Sequence, residues 1–287
     1  LGLDVVARRV ERLELDHDDE REQQPEERRH DAQHLGGDLR VEPVPCCRDP
    51  PADRPNTEQH NGHHRADDAS GGGVYNVGIA SINNSTFSSN SVHDDGSALY
   101  NDATATVANS TFTLGQAKTA AVYNEKNGSL KLNNVTITNN TGAQQATGLL
   151  SNGGTVNLAN SIISGNKTSG NNSKPDCGGT LTSGGHNLIG DATGCNISAG
   201  TGDLLGTNNA PIDAKLGALQ NNGGPTSTFL LLAGSPAIDK GSPAAPGSGG
   251  GACEATDQRG VVRPVLGVSS LTCDIGAVEI GTGLLAG

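Results

Sequence analysis

The stretch Asn84-Ser85-Thr86-Phe87 decides the fold, because it returns at a nearly constant interval. Its later forms are Asn109-Ser110-Thr111-Phe112, Asn134-Val135-Thr136-Ile137 and Asn160-Ser161-Ile162-Ile163. The first residues of successive copies lie 25, 25 and 26 positions apart. Self-similarity at a fixed period of this size is typical of solenoid proteins, in which each repeat is one structural unit that stacks on its neighbours.

Each copy of the phrase belongs to a longer pattern of alternating apolar residues. The residue two positions before each Asn is apolar, and so is the last residue of each phrase. Because alternate side chains of a strand point to the same side, this spacing of two predicts short strands with one buried face. The predicted core stack consists of Ile82, Val107, Leu132, Leu158, Phe87, Phe112, Ile137 and Ile163.

A further strand is predicted at an aromatic or apolar position that precedes each phrase. It is predicted to end near Tyr75, Tyr100, Tyr123 and Leu150. Three short strands in about 25 residues predict one coil of a right-handed parallel β-helix, and therefore an all-β fold. Two-helix repeats need roughly 33 residues or more, and the abundant Asn, Gly, Ser and Thr of each repeat are poor helix formers.

The first Asn of each phrase is predicted to lie at a bend between two strands. Asn tolerates the left-handed backbone conformation that such bends require. Because like residues stack in successive coils, the side-chain amides of this column are expected to bond to one another along the stack as an Asn ladder. The predicted ladder consists of Asn84, Asn109, Asn134 and Asn160.

Charge divides the chain near Ser70. Residues 1–70 contain 10 of the 19 basic residues, 18 of the 31 acidic residues and no aromatic residue. Such a segment buries too little apolar surface to offset the entropy of ordering, so it is predicted to be disordered, or else to be misassigned or mistranslated. The remaining predicted parts are β-helix repeats over 71–200, a C-terminal module over 201–280 and a tail over 281–287.

Four cysteines flank two glycine-rich loops, Cys177 with Cys195 and Cys253 with Cys273. Four cysteines allow three pairings, and the sequential pairing, which closes two short loops, is preferred here. Zinc is the competing interpretation, but no pair has the close spacing of a zinc site, so no metal site is predicted. Disulfides imply an exported protein, although no signal peptide is visible in the sequence.

The C-terminal module carries three distinctive phrases. They are Ser235-Pro236-Ala237-Ile238-Asp239, Thr256-Asp257-Gln258-Arg259-Gly260 and Cys273-Asp274-Ile275-Gly276-Ala277-Val278-Glu279. Their succession closely resembles the choice-of-anchor Q domain of bacterial surface proteins. The repeats before it resemble right-handed β-helices of the pectate-lyase-like and polymorphic outer-membrane type. The resemblance implies a module close to a surface-sorting signal, but residues 280–287 contain no hydrophobic span or basic tail.

Five charged residues of the module are expected to form a polar network, because arginine donates strong, charge-assisted hydrogen bonds to carboxylates. They are Asp239, Asp257, Arg259, Asp274 and Glu279. The module is expected to cap the open end of the β-helix, since uncovered strand edges invite aggregation.

Catalysis requires several charged groups that converge on one face, as in the β-helix enzymes that cleave acidic polysaccharides. The repeats contain few charges, and the only paired carboxylates with a neighbouring histidine are at His93, Asp94 and Asp95. A solvated loop is the favoured interpretation of these three residues. No catalytic residue and no cofactor is therefore predicted; Ca²⁺ would be needed only if the chain were a lyase.

The sequence thus predicts an exported, non-catalytic β-helix at the cell surface or outside the cell, with a structural or adhesin-like role. Extracellular polysaccharide or host and cell-surface glycans are the expected partners, and a monomer is expected. The net charge of −12 argues against nucleic-acid binding, and the lack of long apolar or basic amphipathic segments argues against membrane insertion. Two alternatives stay open: a polysaccharide lyase or glycoside hydrolase on the same scaffold, and a fragment without selected function.

Overall fold

The repeats form a parallel β-solenoid. The computed structural model describes residues 4–5, 70–143, 146–168, 175–265 and 272–281. Within these residues every regular element is a strand, and no helix has the length and apolar character needed to cross a membrane. The prediction of an all-β solenoid with about 25 residues per coil is therefore confirmed.

Each coil contributes one strand to a sheet that we call sheet 1. Its seven strands pair in parallel. They are Asp4–Val5, Thr86–Ser88, Thr111–Thr113, Thr136–Thr138, Ile162–Ser164, Leu188–Ile189 and Leu204–Leu205. Apart from Asp4–Val5 and Ser70, the N-terminal segment that is predicted to be disordered or misassigned lies outside the described residues.

The other two strands of each coil belong to sheet 2, which has two arms. The tyrosine arm consists of Val74–Asn76, Leu99–Asn101, Val122–Asn124 and Leu149–Ser151. The long arm consists of Ile79–Asn83, Thr104–Ala108, Ser129–Asn133 and Thr155–Ala159. The longer strand Cys177–Ser183 joins the two arms, and Cys195–Ile197 pairs with it. A small third sheet contains Gln116–Ala117, Thr141–Gly142 and Lys167–Thr168.

The register places like residues above one another. Phe87 lies opposite Phe112, Phe112 opposite Ile137, and Ile137 opposite Ile163. All eight residues of the predicted core stack are buried, with no more than 2% of their surface exposed. The first Asn of each phrase has a positive φ of 45 to 51°. These Asn residues therefore occupy left-handed bends, which let the chain turn from the long arm into sheet 1.

The C-terminal module first extends the solenoid and then returns along its side. Leu204–Leu205 pairs with Leu188–Ile189 and adds one rung to sheet 1. From Ala214 onward the chain covers the outer face of sheet 1. Ile162 and Leu188 face outward there and pack with Leu231, Ile275 and other module residues in a second apolar core. The module thus covers a side of the solenoid as well as its end, because these outward apolar residues also need burial.

Candidate functional site

The C-terminal module covers sheet 1 and leaves the outer face of sheet 2 free, together with the small third sheet, where Gln116 and Lys167 are exposed. On the long arm, inward residues such as Leu130 and Leu132 are buried, whereas outward residues are exposed. The exposed outward positions of the three middle strands are Thr104, Thr106, Ser129, Lys131, Thr155 and Asn157. This surface is polar, flat and repetitive, and it is the surface on which an extended partner can lie.

Tyrosines form a stack on the outside of the tyrosine arm. The ring centroids of Tyr75 and Tyr100 lie 4.8 Å apart with the planes 3° from parallel. Those of Tyr100 and Tyr123 lie 5.2 Å apart at 14°. Tyr75 ends the stack and is 55% exposed, whereas Tyr123 is only 6% exposed. The chain contains three tyrosines, and all three are in this stack.

Polar side chains of the turn between the two arms adjoin the tyrosine rings. The Glu125 carboxylate accepts hydrogen bonds from the Tyr100 hydroxyl at 3.1 Å, from Asn152 Nδ2 at 3.0 Å and from the Lys126 amide at 2.8 Å. Asp102 accepts a longer contact of 3.4 Å from Asn127 Nδ2. Burial, followed by the charge of Glu125, raises the pKa of Tyr100 well above its usual range, so its hydroxyl remains a donor.

We call this set the tyrosine track. It consists of Tyr75, Tyr100, Tyr123, Asp102, Glu125 and Asn152. In two coils the tyrosine is followed two residues later by a carboxylate of the turn, Tyr100 by Asp102 and Tyr123 by Glu125. Tyr75 begins the track, and Asn152 extends it into the next coil, where the strand has no aromatic residue.

An internal Asn ladder holds the turn of the tyrosine track in place. Asn76 Nδ2 donates to Asn101 Oδ1 at 2.7 Å, and Asn101 Nδ2 donates to Asn124 Oδ1 at 2.7 Å. Asn101 and Asn124 have no exposed surface. Each amide is satisfied by the next coil, which fixes the turn conformation. The recurring Tyr-Asn dipeptide at 75–76, 100–101 and 123–124 was the sequence signal for this ladder.

The asparagines of the predicted ladder, which are the first residues of the four phrases, bond to partners outside their own column. Asn109 Nδ2 donates to the Thr256 carbonyl at 2.8 Å, and Asn134 Oδ1 accepts from the Glu254 amide at 2.8 Å. Asn160 Oδ1 likewise accepts from the Ser242 amide at 2.9 Å. The members of this column do not bond to one another: Asn160 Nδ2 donates to Asn133 Oδ1 at 2.9 Å, outside the column, and the C-terminal module supplies the other partners, because the column lies on the outer side of its bend. Asn84, the first member, is exposed.

A second ladder ends in a carboxylate. Asn140 Nδ2 donates to Asn166 Oδ1 at 2.9 Å, and Asn166 Nδ2 donates to Asp176 Oδ1 at 2.9 Å. Asp176 also accepts the backbone amides of Asn166 and Asp191, both at 2.8 Å. Burial raises the pKa of Asp176 to about 6, although these donors oppose the shift. The carboxylate is a terminal acceptor for a ladder whose donors all point in one direction.

A cleft of about 310 Å³ opens beside this end of the ladder. Asp176, Asp191, Asp213 and Lys167 are among its lining residues. Asp191 Oδ1 accepts the Thr193 amide and hydroxyl, and Asp213 Oδ1 accepts the Lys215 amide. Within the described ranges, no group of three or more His, Cys, Asp or Glu side chains is arranged to hold a metal ion.

The weak catalytic candidates do not converge on one site. They are His93, Asp94 and Asp95. Asp94 lies 3.7 Å from His93 Nδ1 and 3.8 Å from Lys118 Nζ. Asp95 points elsewhere and accepts the Thr119 hydroxyl at 2.6 Å. The His93 side chain is 74% exposed. The two carboxylates therefore have separate structural partners in the neighbouring coil.

The charged network of the C-terminal module centres on a residue absent from the predicted set. Arg263 is fully buried and donates to Glu279 Oε2 at 3.1 Å and to the Gly276 carbonyl at 2.8 Å. Arg259 pairs with Asp257 at 2.8 Å and bonds to the Glu279 carbonyl. The Arg263-Pro264 phrase was visible in the sequence, but nothing in it indicated burial.

Two carboxyl groups of the network have raised pKa values. Burial, followed by the charge of Glu279, raises the pKa of Asp274 to about 7. Burial also raises the pKa of Glu279, against the opposing effect of Arg263. Asp239 contributes its backbone, since its amide donates to Asp274 Oδ1 at 2.7 Å. The network fastens the end of the module, and its carboxylates have no path to a partner, because Asp257, Asp274 and Glu279 are buried.

The cysteines pair sequentially, as predicted. Cys177 bonds to Cys195, which secures the last coil, and Cys253 bonds to Cys273 beside the Asn134 column. Both disulfides close loops of about 20 residues, with sequence separations of 18 and 20.

No family model matches the chain, and neither a curated protein nor a solved structure is significantly similar to it. The structure alone therefore carries the assignment of the fold.

Proposed function

We propose that this protein is an exported β-solenoid with a structural or adhesin-like role, which binds carbohydrate on its free lateral surface without catalysing a reaction. The observation that carries the proposal is the contrast between the two sheets. The outer face of sheet 1 is occupied by the C-terminal module, whereas the outer face of sheet 2 presents columns of hydroxyl and amide groups. Such groups suit hydrogen bonding to a hydroxyl-rich polymer.

The disulfides support an extracellular location. Disulfide bonds persist in oxidising compartments and are rare in the reducing cytosol. Both bonds involve at least one fully or almost fully buried cysteine, Cys177 in one and Cys253 and Cys273 in the other. Attachment to a cell surface, which the resemblance to choice-of-anchor Q proteins suggests, belongs to the same proposal.

A glycan array tests the carbohydrate proposal directly. The oxidised protein, detected through an antibody to an affinity tag so that its surface lysines stay unmodified, should bind a defined group of extracellular glycans above the level of a reduced and unfolded sample. If no glycan or cell surface retains the folded protein, the binding proposal fails, while the structural role stays to be tested by other means.

A polysaccharide-cleaving enzyme is the second candidate, and one observation favours it. Asp176, with a pKa raised to about 6, and Asp191 both line the cleft of about 310 Å³. A carboxyl group that holds a proton near neutral pH can act as a general acid, and a second carboxylate can act as a base.

Cleavage is tested by incubation with polygalacturonate and alginate in the presence of Ca²⁺. Release of new chain ends by the parent protein but not by Asp176→Asn would support catalysis in the cleft. Loss of cleavage in Asp94→Ala with Asp95→Ala would place it at the other candidate residues. The same rate in all samples would identify a contaminant.

A further inference from the structure

We propose that the tyrosine track binds an uncharged, linear polysaccharide that runs along the solenoid axis. This inference rests on the proposed carbohydrate binding and assigns it to one place and one class of ligand.

The position of the tyrosines is the first argument. The three tyrosines share one outward column, although the core of each coil is aliphatic or phenylalanine at the corresponding inward positions. Tyr75 leaves 55% of its surface in solvent. Tyrosine combines a large apolar face with a polar hydroxyl, which makes it common at recognition surfaces that contact partly polar partners. The apolar C–H face of a sugar ring is such a partner.

Exposed apolar groups extend this surface beyond the first ring. Val77 and Ile79 belong to the same coil as Tyr75, and they are 49% and 78% exposed. Of the six large hydrophobic residues that are exposed in the described chain, three are therefore at this corner of sheet 2. The apolar side of a sugar chain can cover them while its hydroxyls face the turn.

The acceptors of the turn define the hydrogen-bonding chemistry. A carboxylate has about four acceptor sites. Glu125 uses these sites for the Tyr100 and Tyr123 side chains, for Asn152 and for the Lys126 amide. Asp102 has a contact of 3.4 Å with Asn127, which is at the long limit for a hydrogen bond. Asp102 therefore retains acceptor capacity toward the solvent, and sugar hydroxyls are donors.

The negative charge of the turn disfavours the binding of acidic polysaccharides. Asp102 and Glu125 stand on consecutive rungs of the tyrosine track, and Lys126 is the cation beside them. Carboxylates of a uronic-acid polymer would be placed against these two carboxylates, and like-charge contacts lower affinity. An uncharged chain meets the same acceptors without that repulsion.

The spacing of the rungs favours a polymer over a single sugar. Rings repeat at 4.8 and 5.2 Å, so a chain that follows the axis meets one group after another: the exposed Tyr75, then Tyr100 with Asp102, and then Glu125 beside the buried Tyr123. Linked contacts raise the overall affinity, because later contacts form within one complex. Affinity should therefore grow with the length of the oligosaccharide.

Isothermal titration calorimetry on the full oxidised chain tests the inference. The probes are cellohexaose and chitohexaose, which are uncharged, their dimers, and polygalacturonate. We expect the hexamers to bind more tightly than the dimers and polygalacturonate not to bind. Tyr75→Ala should weaken hexamer binding about tenfold, as expected for the truncation of one well-placed aromatic contact. Tyr75→Phe should retain most of the affinity.

Val262→Ala is the matched control and should bind as the parent does, because it truncates an apolar residue of the C-terminal module that is 62% exposed and lies outside sheet 2. Far-ultraviolet circular dichroism establishes that each variant is folded. Normal binding by Tyr75→Ala would overturn the tyrosine track. Loss of binding in Thr106→Ala beside it would assign carbohydrate binding to the exposed long arm instead. Preference for polygalacturonate would overturn the charge argument. Failure of the parent protein to bind any of the probes or any glycan of the array would overturn both proposals.

Discussion

Substitution of the buried Arg263 by methionine should strongly destabilise the protein. The guanidinium has no exposed surface and bonds to the Glu279 carboxylate at 3.1 Å and to the carbonyls of Asp274 and Gly276 at 3.0 and 2.8 Å. Methionine fills a similar volume but leaves the Glu279 carboxylate buried without its cation. Loss of one partner from a buried ion pair costs about 3–5 kcal/mol of unfolding free energy. At this chain length, that corresponds to a fall in Tm of roughly 6–20 °C.

Urea denaturation of the oxidised protein, followed by circular dichroism, measures the effect. Lys131→Met, on the exposed face of the long arm, is the control and should change the free energy of unfolding by less than about 0.5 kcal/mol. The double variant Arg263→Met with Glu279→Gln should recover much of the loss, because it removes the unpaired charge and keeps an acceptor for the Asp274 amide.

Two results would refute the argument. One is a loss of less than about 1 kcal/mol in Arg263→Met, which is the ordinary effect of a substitution without a special mechanism. The other is a double variant that is no more stable than the single one, since the loss would then not arise from the buried carboxylate.

Three further predictions concern the same scaffold. The pKa of Asp274 is raised from 3.8 to about 7, so the folded state holds this proton more tightly than the unfolded state does; the free energy of unfolding should fall as the pH rises from about 4 to about 7. The urea midpoint measured across that pH range tests this prediction. A midpoint that rises with pH, or a pH dependence that is unchanged in Asp274→Asn, would contradict it. Asn101→Ala breaks the internal ladder on both sides and should cost about 2–3 kcal/mol in the same assay. The exposed Asn127→Ala should be neutral, and equal effects of the two would argue against the ladder. Removal of the Cys253–Cys273 bond by double substitution with serine should cost about 3 kcal/mol, as expected for a closed loop of about 20 residues, and an unchanged Tm would show that the network alone fastens the module.

The repeat made much of the solenoid predictable. A fixed interval fixes the coil length, and an alternation of two separates inward from outward residues within each strand. The sequence alone therefore assigns Phe87 and Phe112 to one buried column, and in the structure their ring centroids lie 5.1 Å apart. The left-handed bends at Asn84 and its equivalents were predictable for the same reason, since residue type restricts the backbone locally.

The tyrosine track was only partly visible. The tyrosines were recognised as strand residues, but their alternation did not reveal that the rings stack outward beside Glu125. The turn that carries Glu125 is longer than that of Asp102 by the residues 126 and 127, so the sequence offers no constant spacing for its polar groups.

What the sequence by itself determined is the position of each residue within its coil, because that position depends on neighbours a few residues away. Which outward column would be covered was decided only by the tertiary structure. Gln258 bonds to Thr111 across 147 positions, and Thr226 to Asn84 across 142. Such contacts form between a repeat and a segment without periodicity, so no sequence spacing predicts which residues will meet. Because of these contacts, the Asn84 column binds the C-terminal module instead of forming a ladder, and the tyrosine side of the solenoid stays open to solvent.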